Sequence, residues 1–119
     1  MNQYKWPTFG LIIFLSGCMA TPNEARSDSP LFTGTSTKAP ESLAECIYEQ
    51  WTNQRVMLER DNTTHTERVR NMITVFTMKD SMFADITARE GGSEVKFYKT
   101  FGMGYTVSGN RQDIVKKCL

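Results

Sequence analysis

Two runs of alternating residues meet at a pair of glycines, and no other stretch of the chain narrows its fold as far. Met82, Ala84, Ile86 and Ala88 interleave with Phe83, Asp85, Thr87 and Arg89. Glu90-Gly91-Gly92-Ser93 follows, and Val95-Lys96-Phe97-Tyr98 returns. A period of two sends successive side chains to opposite faces of a pleated strand. Glycine at the reversal adopts backbone angles that other residues resist, so the two runs are expected to close as an antiparallel hairpin. Phe83, Thr87, Lys96 and Tyr98 then point away from the expected core and form the candidate partner surface. The alternative is that this face is solvated or packs against loops.

The neighbouring segments extend the sheet. Val69, Met72, Ile73 and Phe76 in residues 68–78 suit a helical stripe, but Ile73-Thr74-Val75-Phe76-Thr77 is dense in β-branched and aromatic residues, so the segment reads as strand. Val56-Met57-Leu58 is expected as a short first strand, and Asp61–Thr66 as a polar loop carrying His65, a solvated histidine.

Two helices frame these strands. Ser42 is placed to cap a helix and Glu45, three residues on, to complete a capping box. Leu43, Cys46, Ile47 and Trp51 share one face, and the helix is expected to end near Thr52-Asn53. A second short helix is expected from Asn110, with Asp113 at capping-box distance. Ile114, Val115 and Cys118 form its apolar side, and Lys116 and Lys117 suit the negative end of its dipole. Together these elements predict an α+β domain over residues 41–119. It is a two-layer sandwich: an antiparallel sheet of three or four strands with the N-terminal and C-terminal helices on one face.

The front of the chain has a different character. Lys5 is the one charged residue among the first seventeen, and Phe9–Leu15 is an uncharged apolar run. It is much shorter than the roughly 20 residues that cross a hydrocarbon core as helix. Small residues then precede Cys18, which is the layout of a secretory signal over residues 1–17. Leu15-Ser16-Gly17-Cys18 resembles the lipobox of bacterial lipoproteins, in which an apolar residue and two small ones precede a cysteine. The resemblance implies cleavage between Gly17 and Cys18, a diacylglycerol thioether on Cys18, and acylation of the new amine with a chain such as palmitate. Met19 stands where an Asp would favour the inner membrane, which implies sorting to the outer membrane, on its periplasmic face. The alternative is an ordinary signal cut after Ala20. Residues 18–40, rich in Ser, Thr, Pro, Asn and Gly, are expected as the lipidated cysteine and a flexible linker.

Cys46 and Cys118 remain in the folded part under either cleavage, and in an exported protein two cysteines read as one disulfide. Buried free thiols are the alternative, and a metal or nucleophilic pair lacks a second ligand nearby in sequence.

Composition and motifs narrow the function classes. Loss of Lys5 with the signal takes fourteen basic residues to thirteen, level with thirteen acidic ones. A balanced chain without a basic run is a poor match for nucleic acid. No catalytic, cofactor or metal residues are assigned. His65 is the sole histidine, the carboxylates are not singled out as a pair, Gly102-Met103-Gly104 opens no phosphate motif, and Met57, Met72, Met78, Met82 and Met103 are too scattered for a soft-metal site. No small-molecule substrate is evident, and the chain is not expected to be an enzyme.

As a whole the chain also resembles small Gram-negative lipoproteins with one disulfide in an α+β domain. The leading expectation is a membrane-anchored cell-envelope lipoprotein with a non-catalytic binding or assembly module, its partner an envelope protein or peptidoglycan. The alternative is an inhibitor, immunity or exclusion lipoprotein of the kind phages and plasmids encode, with Asp61–Arg68 or Gly102–Tyr105 as a plugging loop.

Overall fold

A computed structural model describes residues 21–56, 59–60, 62–100 and 105–119. In chain order these form α1 (Pro22–Arg26), β1 (Phe32–Ser36), α2 (Pro40–Thr52), β2 (Arg55–Val56), β3 (Glu59–Arg60), β4 (His65–Val69), β5 (Met72–Thr77), β6 (Met82–Arg89), β7 (Gly92–Lys99) and α3 (Tyr105–Cys118). The fold is α+β. One antiparallel sheet of five strands runs in the order β1-β7-β6-β5-β4, and β2 and β3 pair as a separate small ladder.

The hairpin of alternating residues is β6–β7, registered from Met82↔Lys99 to Arg89↔Gly92 around a turn of Glu90 and Gly91. Gly91 has φ +83 while Glu90 keeps a negative φ, so the positive angle falls at the second central position of the turn, where a type II turn calls for glycine. Gly92 is needed for space as well. A Cβ there would lie 1.9 Å from the Ser36 carbonyl oxygen, because β1 passes hard against the start of β7. Residues 68–78 are two strands rather than one, turning at Arg70-Asn71, with Val69 opposite Met72.

Alternation builds the core. Ile73 and Val75 of β5, Met82, Ala84 and Ile86 of β6, and Val95 and Phe97 of β7 face one way. They pack against Leu43, Ala44, Ile47 and Trp51 of α2 and Ile114 and Val115 of α3. Both helices therefore cover one sheet face. Trp51 is fully buried beside Phe97, ring centroids 6.0 Å apart, and its indole N–H donates to the Arg111 carbonyl at 3.1 Å. That bond ties α2 to α3 while satisfying a buried donor. The Cys46–Cys118 disulfide joins the same two helices, its Cα atoms 5.9 Å apart.

Several expected boundaries move. α2 is not capped by Ser42: Ala39 is its N-cap, without a side-chain hydrogen bond, and Pro40 takes the first turn. Proline there loses nothing, since the first N–H groups of a helix have no internal partner. α3 begins at Tyr105, so Asn110 lies within it and accepts from Arg111 Nη1 at 2.7 Å instead of capping. Met57, Leu58, Asp61 and the Gly102–Gly104 stretch lie outside the described residues.

The largest difference concerns residues 18–40. From Thr21 onward this stretch is built into the domain. Thr21-Pro22-Asn23-Glu24 forms a complete capping box at the start of α1, and Phe32–Ser36 adds to the sheet beside β7. A strand with a single apolar anchor, here Phe32 against the core, is held when a neighbour's edge supplies its hydrogen bonds. Ser36 Oγ also donates to the Leu119 carbonyl at 2.9 Å, and Lys38 Nζ donates to that of Cys118.

Candidate functional site

The sheet face turned away from α2 and α3 carries the residues that the alternation singled out. Directly opposed positions on four strands place His65, Phe76, Phe83 and Tyr98 in a row. Successive rings lie 4.9, 5.6 and 5.1 Å apart at their centroids, within the range of favourable aromatic pairs. The adjacent row is polar: Glu67, Thr74, Asp85 and Lys96.

α1 lies on both rows. Arg26 Nε and Nη2 donate to the two Asp85 carboxylate oxygens at 2.7 and 2.8 Å, Nη2 also reaches Thr74 Oγ1 at 3.2 Å, and the guanidinium sits 4.8 Å from the Phe83 ring centroid. Thr74 donates to Asp85 at 2.7 Å. The pair is two-pronged and largely withdrawn from water, the geometry in which a guanidinium–carboxylate contact is strongest. The Asp85 hydrogen bonds hold the Arg26 pKa above its usual value, against the opposing effect of burial. Ala25 closes over Phe76, Phe83 and Tyr98 as a second small core. Burial raises the Tyr98 pKa above 10.0, with Asp85 adding to the rise.

This arrangement divides the expected partner surface. Phe83 is fully buried and Tyr98 is 7% exposed, so neither is presented to a partner. Thr87 is half-buried and Lys96 is exposed. The residues that break up the surface, Arg26 and Ala25, lie in the segment read as a linker. Their signal was present in sequence as Thr-Pro-x-Glu, a capping box with proline at the first helical position.

His65 is also placed differently. It lies in β4, stacked on Phe76, and not in a loop. Its Nδ1–H donates to the Thr63 carbonyl at 2.9 Å, and Nε2 faces Glu67 at 3.3 Å and Asp80 at 3.8 Å. The Thr63 carbonyl, then Asp80 and Glu67, hold the imidazole pKa above 6.5, although burial opposes them. Of the expected plugging loop Asp61–Arg68, residues 65–68 are therefore strand.

β4 ends the sheet, and a groove runs along each of its faces. Between β4 and α2 lies a space of about 330 Å³, lined by Ala44, Tyr48 and Ile73, with Glu41 and Glu45 on its rim. On the opposite face about 500 Å³ opens between β4 and α1, with Glu67, Val69, Met72 and Asp80 among its walls. Arg68 Nη2 is held by Glu41 at 2.6 Å, across the first groove. Among the described residues no group of three or more His, Cys, Asp and Glu side chains is arranged to hold a metal ion, and no helix is long and apolar enough to cross a membrane.

No family model, curated protein or solved structure matches the chain.

Proposed function

We propose that the chain is a lipid-anchored cell-envelope protein, held through Cys18 at the periplasmic face of the outer membrane, whose folded part is a non-catalytic binding or assembly module. The observation that carries this reading is the Cys46–Cys118 disulfide in a chain that also has Cys18 directly behind an apolar leader. Disulfides persist in oxidising compartments such as the periplasm, and the lipobox resemblance routes the chain there. Two or more acyl chains on Cys18 would give stable attachment without a spanning helix.

The folded segment begins close to that anchor. Cys18 precedes the α1 N-cap Thr21 by three residues, which span at most roughly 10 Å when extended. The domain is thus held near the bilayer with α1 closest to the lipid, instead of standing off on a tether of more than twenty residues.

The test is incorporation of labelled palmitate. Wild-type protein is expected to take up label and fractionate with outer membranes, and Cys18→Ser to do neither. An unlabelled, soluble product beginning at Thr21 would overturn the proposal.

A further inference from the structure

We propose that the edge of β4, unpaired among the described residues, is a docking site for an extended segment of another protein in which aliphatic and basic residues alternate. β4 ends the five-stranded sheet, and Thr66, Glu67, Arg68 and Val69 are all exposed. The inference rests on the binding-module reading above and identifies its partner, but it does not depend on the lipid anchor.

The β4–β5 register shows which backbone groups are free. The turn is Arg70-Asn71, so Val69 and Met72 flank a two-residue loop. In such hairpins the flanking pair exchanges both hydrogen bonds, and the pattern then alternates along the ladder. Val69, Glu67 and His65 are thus bonded to β5, while the N–H and C=O groups of Thr66 and Arg68 point out of the sheet. An added strand would satisfy those groups, and the side chains of that strand would fall alternately over the two grooves.

The grooves differ in chemistry, and the difference specifies the occupant. The one beneath α2 is walled by Ala44, Tyr48 and Ile73 and suits an aliphatic side chain. The one on the opposite face holds the carboxylates of Glu67 and Asp80, which share His65 Nε2 between them, while Arg26 in its wall is paired with Asp85. Two carboxylates to one imidazole leave the groove acidic and suited to a cation. Glu45 adds negative charge along the α2 rim, where Glu41 is paired with Arg68. Arg68 is engaged by Glu41, and Arg70 lies beyond the strand at the turn. A strand reading aliphatic on one face and basic on the other is complementary to both grooves, and an acidic strand is repelled.

The experiment uses the full chain in detergent and three eight-residue peptides with blocked ends: alternating lysine and valine, alternating glutamate and valine, and four lysines followed by four valines. Titration calorimetry is expected to show binding of the first, with the block peptide weaker by about tenfold or more and the acidic one silent. Amide exchange at Thr66 and Arg68 should be fast in the free protein and slow in the complex. Glu67→Lys should weaken binding by about tenfold. Thr66→Pro should abolish binding while preserving the β4–β5 ladder, because proline is tolerated where a strand's N–H faces outward. The exchange readout on wild-type protein stands on its own if that variant does not fold.

Equal affinity for the block or acidic peptide, or unchanged exchange at Thr66 and Arg68, overturns the proposal. So does protection of those amides that rises with protein concentration alone, which would assign the edge to a second copy. Loss of the palmitate result, with peptide binding intact, would refute only the anchor.

Discussion

Arg26 and Asp85, fifty-nine positions apart in sequence, meet through two hydrogen bonds of 2.7 and 2.8 Å and clamp α1 to the second face of the sheet. The contact converts an open sheet face into a lidded one, with Phe83 sealed beneath the guanidinium. α1 is only five residues long, too short to hold its shape unaided. Its position depends on this pair and on the few apolar contacts of Ala25.

Arg26→Ala should therefore destabilise the protein by about 2–3 kcal/mol. Asp85, 8% exposed with Arg26 in place, would lose its cation, and breaking one side of a buried pair costs about 3–5 kcal/mol when both partners are fully enclosed. Arg26 keeps a quarter of its side chain exposed, and its removal opens Asp85 to water. Replacing both, Arg26→Leu with Asp85→Leu, should recover most of the loss, since an apolar pair of similar size is often as stable. Urea unfolding of the three proteins measures this. A single-mutant cost below about 0.5 kcal/mol, as for an exposed ion pair, would mean that the clamp is idle.

Removing the disulfide should cost more. Its cysteines are 72 positions apart, so the bridge closes most of the domain into one loop, and the chain-entropy account gives about 4 kcal/mol. A chain with Cys46→Ser and Cys118→Ser should show a correspondingly lower urea midpoint, and the intact protein no free thiol before reduction. A thiol titre in the folded oxidised protein would contradict the bridge.

His65 makes stability depend on pH. Its folded-state pKa is raised, first by the Thr63 carbonyl accepting from Nδ1–H and then by Asp80 and Glu67. A raised value means that the folded protein holds the proton more tightly than the unfolded chain does. The contribution is fully present below about 6.5, the usual histidine value, and is lost as pH rises through the folded-state value. An NMR titration should place the imidazole midpoint above 6.5 and Glu67→Gln should lower it. A wild-type midpoint at or below 6.5 would refute the assignment.

Some of this was legible locally and some was not. The β6–β7 hairpin is written in consecutive residues, since a strict period of two around Gly91 has few other folded outcomes. The buried face of α2 is likewise carried by Leu43, Ile47 and Trp51 at helical spacing. The capping signals were ambiguous because Ser42–Glu45 and Thr21–Glu24 both match the motif, and only at Thr21 are both hydrogen bonds made. The alternation places Phe83, Thr87, Lys96 and Tyr98 on the sheet face away from α2 and α3, and the cover over Phe83 and Tyr98 comes from α1, in the segment expected as linker.

The amino-acid sequence by itself determined the local alternation that makes strands, the apolar stripe that makes α2, and the two cysteines available to be joined in the domain. Those properties depend on neighbours a few residues apart, where backbone geometry alone decides which side chains share a face. Tertiary structure alone decided that β1, with Phe32 as its one large apolar residue, becomes a strand by pairing with β7, and that Arg26 finds Asp85 and lids Phe83 and Tyr98. Hydrogen-bonding partners for a sheet edge and a counter-ion for a buried carboxylate come from distant parts of the chain, and their identity exists only once the chain has closed on itself.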